Sequence, residues 1–258
     1  MSNKVIEIEG MVASGKTSIC KELTNLINNS VFVDGSAIYR GITFAIAQAK
    51  EKLKNSSENA DIKNITTLKE IMISPEKLGN INAFEIMKML NIDFKIIDKM
   101  TVIYINGNEI SNDKIQSMEN SLDVSEIASK ANNKALYEFA RNIIEKYREN
   151  FNVIVSGRDL VEIYPDVTCH VFITADLEER VNRRYAQYEG KYSKEEIRDI
   201  IIKRDEIHKN AGFNRVGNKN INFDVTNYEN AHQSTTELVK KLIEKEYLKK
   251  EDIIWKNM

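Results

Sequence analysis

The sequence predicts an α/β fold of three layers, with a central parallel sheet of about five strands between layers of helix. Three observations lead there. Short β-type runs rich in Val, Ile and Phe alternate with stretches of helical period, the pattern of strand–helix–strand units. The first of these runs passes directly into Gly10-Met11-Val12-Ala13-Ser14-Gly15-Lys16-Thr17, which fits G-x-x-x-x-G-K-[ST]. Near residue 100 the period changes to that of an antiparallel hairpin, so a small second sheet is expected to be inserted in the first.

Val5-Ile6-Glu7-Ile8-Glu9 reads as the first strand. Ile19, Leu23 and Leu26 recur at helical spacing behind the glycine loop and predict an amphipathic helix that begins near Lys16. Two glycines let such a loop turn its N–H groups inward on a phosphate chain, and the new helix adds unpaired N–H groups and the positive end of its dipole. Gly10, Ala13, Ser14, Gly15, Lys16, Thr17 and Ser18 are therefore the expected phosphate cradle. Lys16 is placed to reach the β/γ-phosphates of a triphosphate and the Thr17 hydroxyl to ligate Mg²⁺.

Ser30 to Asp34 reads as a second strand, buried at Val31 and Val33, and a helix follows over Ala37–Ile46. Functional groups of parallel sheets gather beyond the C-terminal ends of strands, where Asp34, Ser36 and Arg40 fall. Asp34 has a second reading as a helix cap. The region 50–90 is polar and helix-forming, with a break at Ser74-Pro75. Ile92–Ile97 and Thr101–Ile105 read as hairpin strands, and Asn106-Gly107 as a tight turn before Asn108–Ser111. Leu122 to Asn150 reads as one long helical segment, delivering the chain to a core strand over Phe151–Val155. That strand ends in Ser156-Gly157-Arg158-Asp159, at the same edge as the glycine loop. Cys169–Thr174 and Ile221–Val225 read as the remaining strands, with His170 a structural residue and not a metal ligand. A last helix starts near Ala231.

Between Asp176 and Asn210 the chain is charged and helical. Arg180, Arg183 and Arg184 have i, i+3 and i+4 spacing and share a helix face. Ten of the 37 basic residues are Arg, and six of those lie between Arg180 and Arg215. In a chain whose default cation is Lys, that clustering suits the bidentate recognition of phosphate.

With 258 residues and 42% hydrophobic content, the chain is one domain of ordinary size or one core carrying subdomains. A net charge of −2 offers nothing to a nucleic acid or a membrane surface. The start, Met1-Ser2-Asn3-Lys4, runs straight into the first strand, so no signal peptide is expected, and no apolar run approaches a membrane span. Cys20 and Cys169 are expected to be reduced core residues of a cytoplasmic protein.

Taken together, the phosphate loop, Asp34-Gly35-Ser36-Ala37-Ile38-Tyr39-Arg40, the inserted hairpin around Ile105-Asn106-Gly107, Gly157-Arg158-Asp159, Glu178-Glu179-Arg180 with Arg183-Arg184, Lys203-Arg204-Asp205 and Asp224-Val225-Thr226 resemble the bacterial cytidylate kinases. The resemblance covers most of the chain. It implies a P-loop NTPase fold with a core (1–35, 119–176, 217–258), an inserted monophosphate-binding lobe (36–118) and a helical lid (177–216). It implies transfer of the γ-phosphoryl of ATP, with Mg²⁺, to CMP or dCMP by a monomeric enzyme whose other partners are small nucleotides. Lys16 and the lid arginines Arg180, Arg183 and Arg184 are then the groups at the transferring phosphoryl. Arg40 and Arg204 hold the acceptor phosphate, and Asp34, Ser36, Tyr39, Gln116, Arg158 and Asp159 complete the acceptor site. The departures fall on that acceptor side. Gly35 and Ser36 stand in inverted order, and Gln116 replaces an arginine that reads the base. Ser156 replaces an aspartate, His208 a ribose-contacting aspartate, and Ala211 an arginine for which Arg215 is a candidate substitute. A kinase for a modified nucleotide or small metabolite, and a silent nucleotide-binding paralogue, are the alternatives.

Overall fold

The computed structural model describes residues 3–55, 83–116, 118–130, 132–213 and 220–257. Ser74-Pro75 and Arg215 lie outside the described residues. In chain order the elements are β1 (Val5–Gly10), α1 (Lys16–Leu26), β2 (Ser30–Asp34), α2 (Gly35–Asn55), α3 (Ala83–Met89), β3 (Ile92–Ile97), β4 (Met100–Ile105), β5 (Asn108–Ile110), α4 (Asn112–Ile115), α5 (Met118–Lys130), α6 (Lys134–Arg148), β6 (Asn152–Ser156), α7 (Leu160–Ile163), β7 (Cys169–Thr174), α8 (Leu177–Gln187), α9 (Lys194–Asn210), β8 (Asn220–Asp224) and α10 (Ala231–Glu244). They fall into two compact units. One holds Met1–Gly35, Ile96–Met100 and Arg141–Met258; the other holds Ser36–Lys95 and Thr101–Ala140.

The first unit is built on a five-stranded sheet of order β2-β6-β1-β7-β8, parallel throughout. This is the expected α/β sheet with the expected number of strands. β1 sits at its centre, between β6 and β7, so the loop that leaves β1 opens at the point where the strand order reverses. One face packs Ile6, Ile8, Ile154, Val171, Ile173, Ile221 and Phe223 against Ile19, Leu23 and Leu26 of α1 and Leu238, Val239 and Leu242 of α10. The helical triad read from the sequence is thus the buried stripe of α1. Cys20 and Cys169 are both buried free thiols in this core.

The edge strand β2 is buried at all five residues, not only at Val31 and Val33. Both faces of the sheet are therefore covered at this edge, while β8 at the other edge exposes Asn222 and Asp224. The second face carries Val31, Val33, Val153 and Val155, and also the wholly buried Glu7 and Glu9 of β1 and His170 of β7.

β3, β4 and β5 form a three-stranded sheet in that order, all of it in the second unit except Ile96, Ile97 and Met100. Asn106 and Gly107, at φ 51° and 76°, make the tight turn into β5, which pairs antiparallel with β4. Ile42, Ile86, Ile92, Ile103, Ile105, Ile115, Ile127 and Leu136 are buried within the unit, and Phe139 meets the rings of Phe84 and Phe94 at 5.1 Å and 5.5 Å.

One expectation is corrected. The segment Leu122–Asn150 is two helices, α5 and α6, not one. The adjacent Asn132 and Asn133 break it: the Asn132 side chain accepts from the Lys134 N–H at 3.3 Å, and Asn133 Nδ2 donates to Ala128 O at 2.8 Å. Asparagine side chains here take over hydrogen bonds that a continuous helix makes along its backbone.

Candidate active site

Gly10 leaves β1 with φ 148°, and a Cβ there would lie 2.1 Å from Ile173 O. Only glycine allows the loop to start this close to β7, where the next amide, Met11 N–H, donates to that same carbonyl at 3.0 Å. Gly15 closes the loop in the left-handed region at φ 88° and stands at the N-cap of α1. No side chain caps this helix start and no acidic residue lies in its first turn. The first amides of α1, at Lys16, Thr17 and Ser18, are thus presented with the helix dipole behind them, the arrangement that receives a phosphate. Lys16 Nζ lies over the loop, donating to Gly10 O at 3.0 Å, Met11 O at 2.5 Å and Ser14 Oγ at 3.5 Å. Thr17 is half-buried at the same helix start, where its hydroxyl has the position and chemistry to hold a Mg²⁺ ion.

The charged helices α8 and α9 belong to this unit and lock to one another. Arg198 pairs with both carboxylate oxygens of Glu178, and Lys194 donates to Asn182 at 2.7 Å. A capping box, Ser193 with Glu196, starts α9.

The three arginines predicted on one face separate. Arg180 is buried, and its Nη1 donates to Asp205 at 2.5 Å and to Val12 O at 3.1 Å. Arg183 spans the loop and the end of β8: Nη1 donates to Ser14 O at 3.4 Å, Nη2 to Val225 O at 2.7 Å and Nε to Glu179 at 2.8 Å. Its Nη1 is also 3.7 Å from where a Cβ on Gly15 would be. Arg184 turns along its own helix, to Gln187 at 2.6 Å and the Tyr188 ring at 5.4 Å.

At the C-terminal edge, Asp34 and Ser156 stand in register on β2 and β6, and Ser156 Oγ donates to Asp34 at 3.3 Å. The bond shows how a serine is accommodated where the resemblance expects an aspartate: it supports the neighbouring carboxylate. A Cβ at residue 35 would lie 2.9 Å from Ser156 O, which accounts for glycine preceding Ser36 here.

Arg158 donates through Nε to His208 Nδ1 at 3.4 Å and through Nη1 to Gly157 O at 2.9 Å. Arg204 and His208 are both buried on α9. Burial, and then the positive charges of Arg158, Arg204 and Lys16, push the His208 pKa down to about 2. Cations from three separate segments thus bear on one neutral imidazole. Asp159 is buried at φ 58° ahead of α7. The other expected acceptor groups, Ser36, Tyr39, Arg40 and Gln116, belong to the second unit. There Tyr39 OH donates to Asn133 Oδ1 at 2.8 Å.

The roles of three acidic residues were not read from the sequence. Asp205 is the partner of Arg180. Glu9 accepts the Leu160 N–H at 2.5 Å and so anchors the turn that carries Arg158 and Asp159. Glu7 lies beside it, its pKa raised to about 9 by burial first and by Glu9 second. The sequence carries no local signal for the two glutamates, whose burial comes from the cover of a central strand on both faces. His170 fits its structural reading, with Nδ1 2.9 Å from Asn220 Oδ1, and no cluster able to hold a metal is found among the described residues.

A cytidylate kinase family model matches residues 6–247 of this chain. The chain belongs to the cytidylate kinase family. The cytidylate kinase of Clostridioides difficile (strain 630) is 29% identical over 218 residues, 83% of this chain and 85% of its own length. That of Chloroherpeton thalassium (strain ATCC 35110 / GB-78) is 24% identical over 78% of this chain and 77% of its own. A Thermus thermophilus crystal structure, TT1252, matches at 14% identity over 93% of this chain and 98% of its own, with a TM-score of 0.41, too distant to carry any argument. The family consists of nucleoside-monophosphate kinases, which use ATP with Mg²⁺. No helix among the described residues is long and apolar enough to cross a membrane.

Proposed function

We propose that this chain transfers the γ-phosphoryl group of ATP to CMP or dCMP. The observation that carries the reading is the uncapped start of α1, with Lys16 over the loop and Arg183 across it, beside a region where Arg158 and Arg204 act on His208. Phosphoryl transfer passes through a loose, highly charged transition state, so positioned cations do most of the catalytic work and a strong general base is unnecessary. Lys16 and Arg183 are assigned to the transferring group, and Arg184 joins them when it leaves Gln187. Thr17 is assigned to Mg²⁺, which would neutralise the β/γ-phosphates. Arg158 and Arg204, with Asp159, Asp34 and the Ser36, Tyr39, Arg40 and Gln116 set of the second unit, are assigned to the acceptor.

His208 favours a second reading of the acceptor. A neutral imidazole beside Arg158, one helical turn from Arg204, leaves more net positive charge than the aspartate that the family pattern carries there. An acceptor that is a modified nucleotide with additional negative charge or acceptor atoms suits that site better than plain CMP. A cytoplasmic, monomeric enzyme completes the proposal, and the buried free thiols Cys20 and Cys169 suit a reducing compartment. Kinetic assay of His208→Asp against wild type separates the two acceptors. Faster turnover with CMP in the variant favours the modified nucleotide as the natural substrate, and equal or slower turnover favours CMP.

A further inference from the structure

A phosphate loop works by turning its amides towards one anion, yet the Val12 amide faces a carboxylate. Val12 N–H donates to Asp205 Oδ1 at 3.0 Å. The other oxygen, Oδ2, accepts from Arg180 Nη1 at 2.5 Å, and the same Nη1 donates to Val12 O at 3.1 Å. Both polar backbone groups of one loop residue are thus held by a single ion pair. Arg180 comes from α8 and Asp205 from α9, 168 and 193 residues away from Val12 in sequence.

We propose that Arg180 and Asp205 are positioning residues, a latch that sets the shape of the phosphate loop from outside. The proposal rests on the donor half of the reading above, in which the loop binds MgATP. It reassigns Arg180 from the transferring phosphoryl to the loop backbone. The electrostatics explain why the two residues are needed together. A lone carboxylate beside a triphosphate site would repel its ligand; Arg180, 4% exposed, cancels that charge while the carboxylate keeps its oxygen on the Val12 amide. The Val12 amide is satisfied without drawing on the anion, as Met11 N–H is by Ile173 O and Ser14 N–H by Met11 O, and the start of α1 is left to receive the phosphate. An ion pair that only stapled α8 to α9 would have no reason to engage both backbone groups of Val12; Arg198 and Glu178 already join these helices without touching the loop.

The test is titration calorimetry of MgATP, with thermal melting alongside, on wild type and on Asp205→Ala, Asp205→Asn and Arg180→Lys. Asp205→Ala is expected to weaken MgATP at least tenfold. Asp205→Asn keeps an oxygen for the Val12 amide and is expected to recover most of that loss. Arg180→Lys keeps the charge but loses the planar guanidinium that fixes where Nη1 sits, and is expected to fall between wild type and Asp205→Ala. In steady-state kinetics the loss is expected in KM for ATP more than in kcat. Unchanged MgATP affinity in Asp205→Ala overturns the latch, even if the melting point falls, because a mere staple does only that. If Asp205→Ala does not fold, Arg180→Lys decides by the same titration, and wild-type affinity there overturns the proposal. Wild type that does not bind MgATP overturns the donor reading and the latch together. MgATP binding without transfer to any acceptor overturns only the acceptor reading and leaves the latch standing on its own titration.

Discussion

Glu7 on β1 and His208 on α9 are both buried titratable groups, and the fold keeps both neutral in opposite ways. Glu7 holds its proton up to about pH 9, driven first by burial and then by the negative charge of Glu9. His208 refuses its proton down to about pH 2, driven first by burial and then by Arg158, Arg204 and Lys16. Burial explains that each is neutral; the second cause reveals the sign of the field around it. Around Glu7 the neighbouring charge is the carboxylate of Glu9. The region around His208 is positive, and the cations that make it so include the phosphate-loop lysine. The contrast separates a buried group held neutral beside a carboxylate from one held neutral among the cations that the proposed function assigns to nucleotide phosphates.

The largest effect tests the positive region. Lys16→Ala removes one of its cations and the group placed at the β/γ-phosphates; turnover is expected to fall by roughly 10³-fold or more while far-UV circular dichroism is unchanged. Wild-type turnover in that variant would remove the basis of the comparison. Arg183→Ala leaves the loop's own hydrogen bonds in place but uncovers it, and a loss of about 10²-fold in kcat is expected.

Smaller effects sharpen the contrast through pH. The Glu7 pKa is raised in the fold, so its contribution to stability is complete below about pH 4.5 and is lost as pH rises towards 9. Glu7→Gln keeps a neutral group of the same size and is expected to stabilise the protein by roughly 1–3 kcal/mol at pH 8 and by nothing at pH 4. Urea unfolding at the two pH values measures this. His208 has the reverse sign. Its depressed pKa contributes stability above pH 6.5 that is lost as pH falls, about 2 kcal/mol by pH 5, and His208→Asn is expected to flatten that acid limb.

The same two regions show what was legible in the sequence. The strand, glycine loop and helix from Val5 to Leu26 could be read because every cue is local: β-type residues, two glycines at the motif spacing, and Ile19, Leu23 and Leu26 at helical period. The start of α9 was legible for the same reason, since Ser193 and Glu196 form its cap within one turn. The break between α5 and α6 was missed because hydrophobic periodicity continues across it, while the Asn132 and Asn133 side chains decide otherwise. Glu7 and Glu9 were read as ordinary strand residues; their burial depends on cover that no local pattern reports. Asp205 was visible only as part of Lys203-Arg204-Asp205, because its partner amide at Val12 is brought to it by the tertiary fold alone. The separate fates of Arg180, Arg183 and Arg184 were hidden likewise: helical spacing placed them on one face, and their partners on the loop, β8 and α8 itself then divided them.

Whether the positive region serves phosphoryl transfer is tested most directly by coupled ADP release from MgATP with CMP, dCMP, UMP, AMP and GMP as acceptors and a control without acceptor. Turnover with CMP or dCMP well above the control is the predicted result. ADP release no faster with any acceptor than without one, from protein that binds MgATP, would contradict the assignment of these nucleotides as its substrates.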